Sequence, residues 1–557
     1  MPNFGVTVSN LAWMASCFPA YRSFHQALRD PQASQANVLK SILARNATSK
    51  FGCAHGFSAI RNVREYQTRV SINNYDGLSP FINRISMGET NVLTTEPVQL
   101  FERSSGSSAA AKYLPYTDSL CREFQQAVRA WIFDLYRHDF GLLRGRSYWL
   151  ITPLSREKEI TPGGIPVGFD NDAEYLGALE RKIAETLFAV PGELAQVSDL
   201  EASLYLTLRF LLQADDLTLI SVWNPSYLGI LMNRLNEWGE RLLEDLRQGT
   251  VTLPRRIKLP SSLTQKLRTQ SKRARVLQQN LKREGRLRTR ALWPKLRLIS
   301  CWTDGAARQN LGQLGLFFPE VRIQGKGLLA TEGVATIPWN EASGCLPALT
   351  SHFYEFLPEN GGEAKMVHEL DMDSEYSLLM TTSGGLYRYR LGDRVRVRDF
   401  YGRVPILEFV GRDDGVSDLR GEKLSPAFVQ ACLDQVLTDA GMHVRFVMLA
   451  PRHQVVPGYV LYVESSTNPE RLGPSLEDKL RGNPHYDYCR NLGQLEALQV
   501  FWIRQNAQET YVQRCTELGQ RAGGVKPTSL HRSGGWEDFF AGQYVTNPQT
   551  EVAYAGR

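Results

Sequence analysis

The nine residues Ser104-Ser-Gly-Ser-Ser-Ala-Ala-Ala-Lys112 decide how this chain is read. They are small and rich in hydroxyls, and they end on a lysine. Val98 to Phe101 before them reads as a short strand. After them the spacing predicts a helix, capped by Thr117 or Asp118, with Phe124, Ala127, Val128, Trp131 and Leu135 on one face. A small-residue loop between a strand and a helix start is a natural cradle for phosphate. Free backbone N–H groups, serine hydroxyls and a lysine converge there on anionic oxygens. The stretch lacks the Gly-Lys-Ser/Thr ending of the Walker loop. Taken alone, it divides evenly between a phosphate loop and a mobile serine-rich surface loop.

Outward from this loop the pattern changes in stages. Residues 1–100 read as mainly helical, with loops around Asn73 to Pro80. From 100 to 340, predicted strands at Tyr148 to Thr152, Leu217 to Val222 and Leu296 to Trp302 alternate with amphipathic helices, the mark of an α/β sheet. From 345 to 411 the period falls to two. Tyr376 to Thr382 alternates, Ser383-Gly-Gly385 turns the chain, and Leu386-Tyr-Arg-Tyr-Arg-Leu391 leads through Gly392-Asp393 into a further strand, predicting antiparallel hairpins. Arg388 and Arg390 read as structural: one residue pair of this alternation faces the core and the other is exposed or ion-paired. The last segment predicts a helix from Pro426 to Ala440 and strands at Val444 to Leu449 and Tyr459 to Glu464. The polar run at Arg412 to Asp418 reads as a hinge, which divides the chain into a large part, 1–411, and a small part, 412–557.

At 557 residues there is room for about three or four domains. A chain that is 43% hydrophobic and 22% charged is ordinary globular material. No uninterrupted apolar run of about 18 residues is present, which argues against a membrane span. No basic residue precedes Arg22, so a secretory leader is not expected. The eight cysteines are scattered without a Cys-x-x-Cys pair, arguing against a zinc site and for a reducing, cytoplasmic setting. Between Arg255 and Arg297, fifteen Lys or Arg face the single acid Glu284. Leucines recur through this window and Trp293 is its only aromatic, which favours a solvated helical pair over a nucleic-acid surface. The histidines form no metal-spaced pair, and no serine sits in a Gly-x-Ser-x-Gly elbow.

Taken together, the motifs resemble the Gretchen-Hagen-three family of acyl acid amido synthetases, within the adenylate-forming superfamily. The resemblance runs over nearly the whole chain. It rests on Phe51-Gly-Cys-Ala-His-Gly-Phe57, Leu78 to Glu89 (LSPFINRISMGE), Val92 to Val98 (VLTTEPV), and the serine loop itself. Further on come Ala330-Thr-Glu332, Phe353-Tyr-Glu-Phe356, LYRYRLGD (386–393), EFVGRDDGVSDLRGEKLSP (408–426) and Gly524-Val-Lys526-Pro527. One departure is Ala109-Ala-Ala111, where relatives often carry a glycine before the lysine; alanine stiffens such a loop. The implied fold is α/β: a large N-terminal α/β plus β-barrel-like domain that binds ATP and the acid, and a small mobile C-terminal α+β domain.

The resemblance also implies a chemistry. A carboxylate resists nucleophiles because it is anionic and lacks a leaving group, so it is first converted to an acyl-AMP. By resemblance, Ser104, Ser105, Gly106, Ser107, Ser108 and Lys112 hold the phosphates of ATP, and Ala330 and Thr331 border the nucleotide. Glu332 is implied as the Mg²⁺ ligand, Asp393 as the acceptor for the ribose hydroxyls, and Arg412 as a ribose or phosphate contact beside the pivot Asp414. Lys423 and Lys526 lie beyond that pivot and are implied as catalytic lysines. Trp223, Tyr227 and Trp339 are candidate acyl-site residues, with core packing the commoner fate of such aromatics. The implied partners are a small carboxylic acid and an amine, by resemblance an amino acid. Two alternatives stay open: delivery to a thiol, on CoA or a carrier protein, and an inactive binding relative.

Overall fold

Apolar spacing and side-chain caps build the helical start of the chain. Phe4–Ala27 buries Trp13, Cys17 and Phe24. Pro31–Arg45 begins where the Asp30 carboxylate accepts from the Ala33 N–H at 3.0 Å, with Pro31 in the first turn. The computed structural model describes residues 4–103, 112–150, 159–168, 186–255, 257–359, 361–412, 416–417, 419–420, 422–518, 520 and 525–545. The expected loop around Asn73 to Pro80 is instead the start of the helix Tyr75–Ser86. The Asn74 carboxamide accepts from the Gly77 N–H at 2.9 Å and caps it, while Leu78, Ile82 and Ile85 are buried. Pro80 cannot donate to the Asp76 carbonyl one turn back. The Ser79 hydroxyl donates to that carbonyl instead, at 3.0 Å, and the helix tolerates the proline.

The chain divides into two compact units, Met1–Thr303 with Gly315–Phe409, and Asp304–Leu314 with Val410–Arg557. In the first, a four-stranded parallel sheet runs in the order Arg146–Trp149, Leu217–Ser221, Leu298–Cys301, Arg322–Gly325. Its two central strands are buried throughout, as strands covered on both faces must be. The first three match the predicted strands. Arg322–Gly325 carries too few apolar residues to stand out in the sequence.

A second, smaller sheet holds the serine loop. Leu100–Arg103 pairs antiparallel with Tyr113–Tyr116, with Leu100 opposite Tyr116 and Arg103 opposite Tyr113. The loop therefore joins two strands, and the helix Asp118–His138 starts only after the second, where the Thr117 hydroxyl accepts from the Leu120 N–H at 3.2 Å. The strand Tyr113–Tyr116 is too short to reveal a period. Its Pro115 is tolerated because the strand lies at the sheet edge.

The period-two region forms an antiparallel sheet in the order Phe353–Pro358, Glu375–Thr381, Tyr389–Tyr401, Val404–Arg412. Two expectations change here. Gly392-Asp393 is not a turn between two strands but an irregularity inside one long strand. Arg390 pairs with Leu379 and Arg394 with Ser377, and Gly392 takes a φ of 79° to absorb the shift. The alternation at Tyr387 to Arg390 is also broken. Tyr387, Arg388 and Tyr389 are all buried, and Arg388 has a φ of 46°. Its guanidinium pairs with the buried Glu355 carboxylate at 2.9 Å and donates to the Gln67 and Val70 carbonyls at 2.8 Å.

The basic window folds as short helices, Ser261–Thr264, Ser271–Glu284 and Thr289–Leu292. Several of its charges have structural partners: Arg273 donates to the Leu212 and Leu292 carbonyls, Lys266 meets Glu193, and Arg297 meets Asp139.

The second unit is α+β. Its sheet runs Val444–Arg452, Gly458–Ser465, Gln499–Ile503, Gly542–Val545, with the middle pair parallel. The helix Pro426–Asp439 is capped by Ser425, whose hydroxyl accepts from the Phe428 N–H at 3.2 Å. Leu424, Val429, Leu433, Leu449, Leu461 and Tyr486 form part of its core.

Candidate active site

In the first unit three segments meet around the stem of the serine loop. Ser104, Ser105, Gly106, Ser107 and Ser108 lie outside the described residues, but both ends of the loop are described. Arg103 at one end pairs with Glu159, and the Tyr113 hydroxyl donates to the same carboxylate. At the other end the Lys112 ammonium lies 5.6 Å from the centre of the Tyr75 ring. The Tyr75 hydroxyl accepts from the Tyr113 N–H at 2.9 Å, fixing where the strand resumes.

The second segment is the hairpin Leu329–Ala330 and Gly333–Val334, whose two-residue tip is Thr331-Glu332. The Tyr116 hydroxyl donates to the Thr331 carbonyl at 2.5 Å, tying the tip to the strand that leaves the serine loop. Gly333 is required by space: a Cβ there would sit 2.5 Å from His352 Nε2. The Val334 N–H donates to His352 Nε2 at 3.2 Å, so the ring proton sits on Nδ1, which donates to Glu123 at 3.1 Å. Glu123 also accepts from the Ser383 N–H at 3.1 Å and from the Ser383 hydroxyl.

Ser383 opens the third segment, the turn Ser383-Gly-Gly385. A Cβ on Gly384 would lie 2.9 Å from the Pro115 carbonyl, so this turn packs on the strand Tyr113–Tyr116. Sequence reading passed over Glu123 and His352, whose link is purely tertiary. Asp393 is 1% exposed, in the irregular stretch of the adjoining sheet.

The arrangement suits an anion next to a hard cation. Glu332 is half-buried at a hairpin tip, and no group of three or more His, Cys, Asp or Glu side chains among the described residues is placed to hold a metal ion. A single carboxylate fits Mg²⁺, which keeps several waters and takes its other ligands from phosphate oxygens. Lys112, Ala330, Thr331, Glu332 and Asp393 thus all belong to one unit.

The remaining candidates belong to the second unit. Arg412 ends the strand Val404–Arg412, and Asp414 lies outside the described residues. Lys423 is exposed and takes a φ of 49°, a strained backbone for a residue with a Cβ. Its neighbours hold it there. Ser417 and Leu424 exchange backbone hydrogen bonds at 2.8 and 2.9 Å, and buried Glu422 accepts from the Leu419 N–H at 2.7 Å and from the Tyr459 hydroxyl. Lys526 is half-buried, and its carbonyl accepts from the Tyr511 hydroxyl at 3.1 Å. Of the aromatics considered for the acyl site, Trp339 is in the core, its ring 5.6 Å from that of Tyr21, and Tyr227 is buried. Trp223 is half-buried beside Lys326.

Three domain models of one family match in order: the GH3 family N-terminal domain over residues 20–323, its central domain over 345–412 and its C-terminal domain over 427–534. The chain belongs to the GH3 family. Among GH3 relatives, an indole-3-acetic acid-amido synthetase of Arabidopsis thaliana is 25% identical over 487 residues, covering 81% of this chain and 80% of that protein. A jasmonoyl-L-amino acid synthetase of Nicotiana attenuata is 23% identical, covering 74% of each. Among solved structures, the GH3.15 acyl acid amido synthetase superposes with a TM-score of 0.79 at 19% identity, covering 94% of this chain and 96% of that one. A 2-hydroxyisobutyryl-CoA ligase gives a TM-score of 0.52 at 10% identity, covering 92% and 91%. These two structures share the fold of this chain.

Proposed function

We infer that this chain is an ATP- and Mg²⁺-dependent acyl acid amido synthetase. It adenylates a small carboxylic acid and passes the acyl group to an amine, an amino acid by analogy with the indole-3-acetic acid and jasmonoyl conjugating relatives. In the first step a carboxylate oxygen attacks the α-phosphorus of ATP, the bond to pyrophosphate breaks, and acyl-AMP forms. In the second, the amine attacks the acyl carbon, loses a proton, and AMP leaves. The first step brings two anions together, so its catalysis is mostly positioning and charge neutralisation.

The observation that carries this reading is the hydrogen bond from Tyr116 to Thr331. It joins the strand leaving the serine loop to the hairpin tip that carries Glu332, so phosphate-binding and metal-binding groups share one rigid support. In this reading the serine loop and Lys112 hold the phosphates, and Ala330 and Thr331 border the nucleotide. Asp393 accepts from the ribose hydroxyls, a role its buried carboxylate suits. Glu332 holds Mg²⁺, which supplies charge neutralisation at the phosphates. Lys526 serves the adenylation step, and Arg412, Asp414 and Lys423 serve the exchange between the two half-reactions. Eight free cysteines are in keeping with a cytoplasmic enzyme, and among the described residues no helix is long and apolar enough to cross a membrane.

The test is acid-dependent exchange of radiolabelled pyrophosphate into ATP, followed by product analysis with amino acids, with CoA and with no acceptor. Exchange with amide formation supports the reading. Thioester formation in preference to amide overturns it.

A further inference from the structure

The ammonium of Lys326 is buried in a box of tryptophans. It lies 5.2 Å from the ring centre of Trp131, 5.5 Å from that of Trp149 and 5.1 Å from that of Trp223. Lys326 is 4% exposed. Its one hydrogen-bond partner among the described side chains is the Ser221 hydroxyl, at 2.6 Å, and no described carboxylate pairs with it. A lysine carries three donors, so the box leaves the cation short of hydrogen bonds. Burying a charge without an anionic partner is costly, and a lone hydroxyl with three indole faces offsets only part of that cost. The strain shows in its acidity: burial pushes Lys326 down to about 7, opposed only by its neighbour Cys301, itself pushed up to about 12 by burial. Trp131, Trp149, Trp223 and Ser221 bring no other titratable group to it.

The position of the box matters as much as its chemistry. Trp149 and Ser221 end the first two strands of the parallel sheet. The Lys326 N–H donates to the Cys301 carbonyl at 2.9 Å, so the lysine continues directly from the ends of the other two. All four strands are parallel, so the box stands at their carboxyl ends, where open α/β sheets bind ligands. Trp302 adds a fourth indole, its ring 5.9 Å from that of Trp223. Trp149, Trp223 and Trp302 are only half-buried, so the rim of the box is open although the ammonium is not. Five residues further on, Thr331 is tied to Tyr116. The box therefore stands at the end of the sheet, five residues before the hairpin tip that carries Glu332.

From this geometry we propose that Lys326 and its tryptophans form the far end of the acyl-acid subsite and select aromatic acids that carry a second, hydrogen-bond-accepting or anionic oxygen remote from the reacting carboxylate. The proposal rests on the acid-activating reading above. The acid's ring stacks among the indoles, and its second oxygen gives Lys326 an acceptor beyond Ser221, its one partner among the described side chains. Lys326 is then a specificity-determining residue, and adenylation itself does not pass through it.

The test uses matched probes: benzoate against 4-hydroxybenzoate and terephthalate, and phenylacetate against 4-hydroxyphenylacetate. Binding is followed by quenching of tryptophan fluorescence without ATP, and turnover by acid-dependent pyrophosphate exchange, for the wild type and for Lys326→Met. The wild type should bind the oxygenated member of each pair at least tenfold more tightly. That preference should weaken as pH rises through 7 and beyond, because the ammonium loses its proton. Lys326→Met should abolish both the preference and its pH dependence, with kcat for the unsubstituted acid within about threefold of wild type. Ser221→Ala, which removes the one hydroxyl on the ammonium, should reduce the preference in the same direction and serves if the methionine variant does not fold. A wild type without preference, or a Lys326→Met enzyme that keeps it, overturns the proposal while leaving the acid-activating reading intact. Lys326-dependent binding without exchange for any acid supports the subsite and overturns that reading instead.

Discussion

The Tyr116 hydroxyl donates to the Thr331 carbonyl at 2.5 Å, and through this contact the strand that leaves the serine loop and the hairpin that carries Glu332 are one support. Tyr116 is 1% exposed, so its ring is held by packing and its hydroxyl has little freedom to turn elsewhere. Under the proposed function this contact positions the groups assigned to phosphate and to Mg²⁺, and small misplacements are costly in positioning catalysis.

Tyr116→Phe keeps the ring and removes the hydrogen bond. A bond of this kind contributes about 0.5–1.5 kcal/mol net, so the melting temperature should fall by only a few degrees. Adenylation should slow by roughly tenfold, because the hairpin tip is no longer held against the strand. Pyrophosphate exchange and thermal melting measured on the same preparation check this, and an unchanged exchange rate would remove the tie from the account.

Glu332→Gln keeps the shape of the hairpin tip and removes its charge. Adenylation should fall on the order of 10²-fold or more, the scale of losing one key electrostatic contact, and the Mg²⁺ concentration needed for half-maximal rate should rise. Turnover at low Mg²⁺ equal to that of the wild type would refute the assignment.

Lys526→Ala should separate the half-reactions. Acyl-AMP formation should fall by roughly 10²–10³-fold, comparable to removing one transition-state donor, while attack of the amine on synthetic acyl-AMP stays near the wild-type rate. Single-turnover kinetics started from acid plus ATP and from acyl-AMP give the comparison. Equal losses from both starting points would make Lys526 structural or common to both steps.

Arg388→Ala should be a stability variant. It leaves the Glu355 carboxylate buried without its cation, a change that costs about 3–5 kcal/mol. Chemical denaturation read by circular dichroism should show that loss, and Arg388→Ala with unaltered stability would mean that water reaches Glu355. This residue illustrates what could be read in advance. Its structural role was legible from the Tyr-Arg alternation, with exposure and ion pairing both open, but its burial and left-handed backbone were not, because that conformation is imposed by Glu355, Gln67 and Val70 from other segments. Thr117 as a cap and Leu217 to Val222 as a strand were legible because their signals are local. The strand Tyr113–Tyr116 was hidden by its length, and the helix Tyr75–Ser86 by Pro80, whose lost bond is replaced by Ser79. Lys326 was invisible as a candidate because nothing in its own neighbourhood predicts that residues 131, 149, 221 and 223 enclose it.

The central claim is that this chain makes an amide at the expense of ATP cleaved to AMP. The most direct measurement incubates the enzyme with ATP, Mg²⁺, an acid found active in pyrophosphate exchange and an amino acid, and quantifies nucleotide and conjugate together by mass spectrometry. The account predicts AMP, pyrophosphate and acyl-amino acid in equal amounts. ADP as the nucleotide product, or AMP formed without the conjugate, would contradict it.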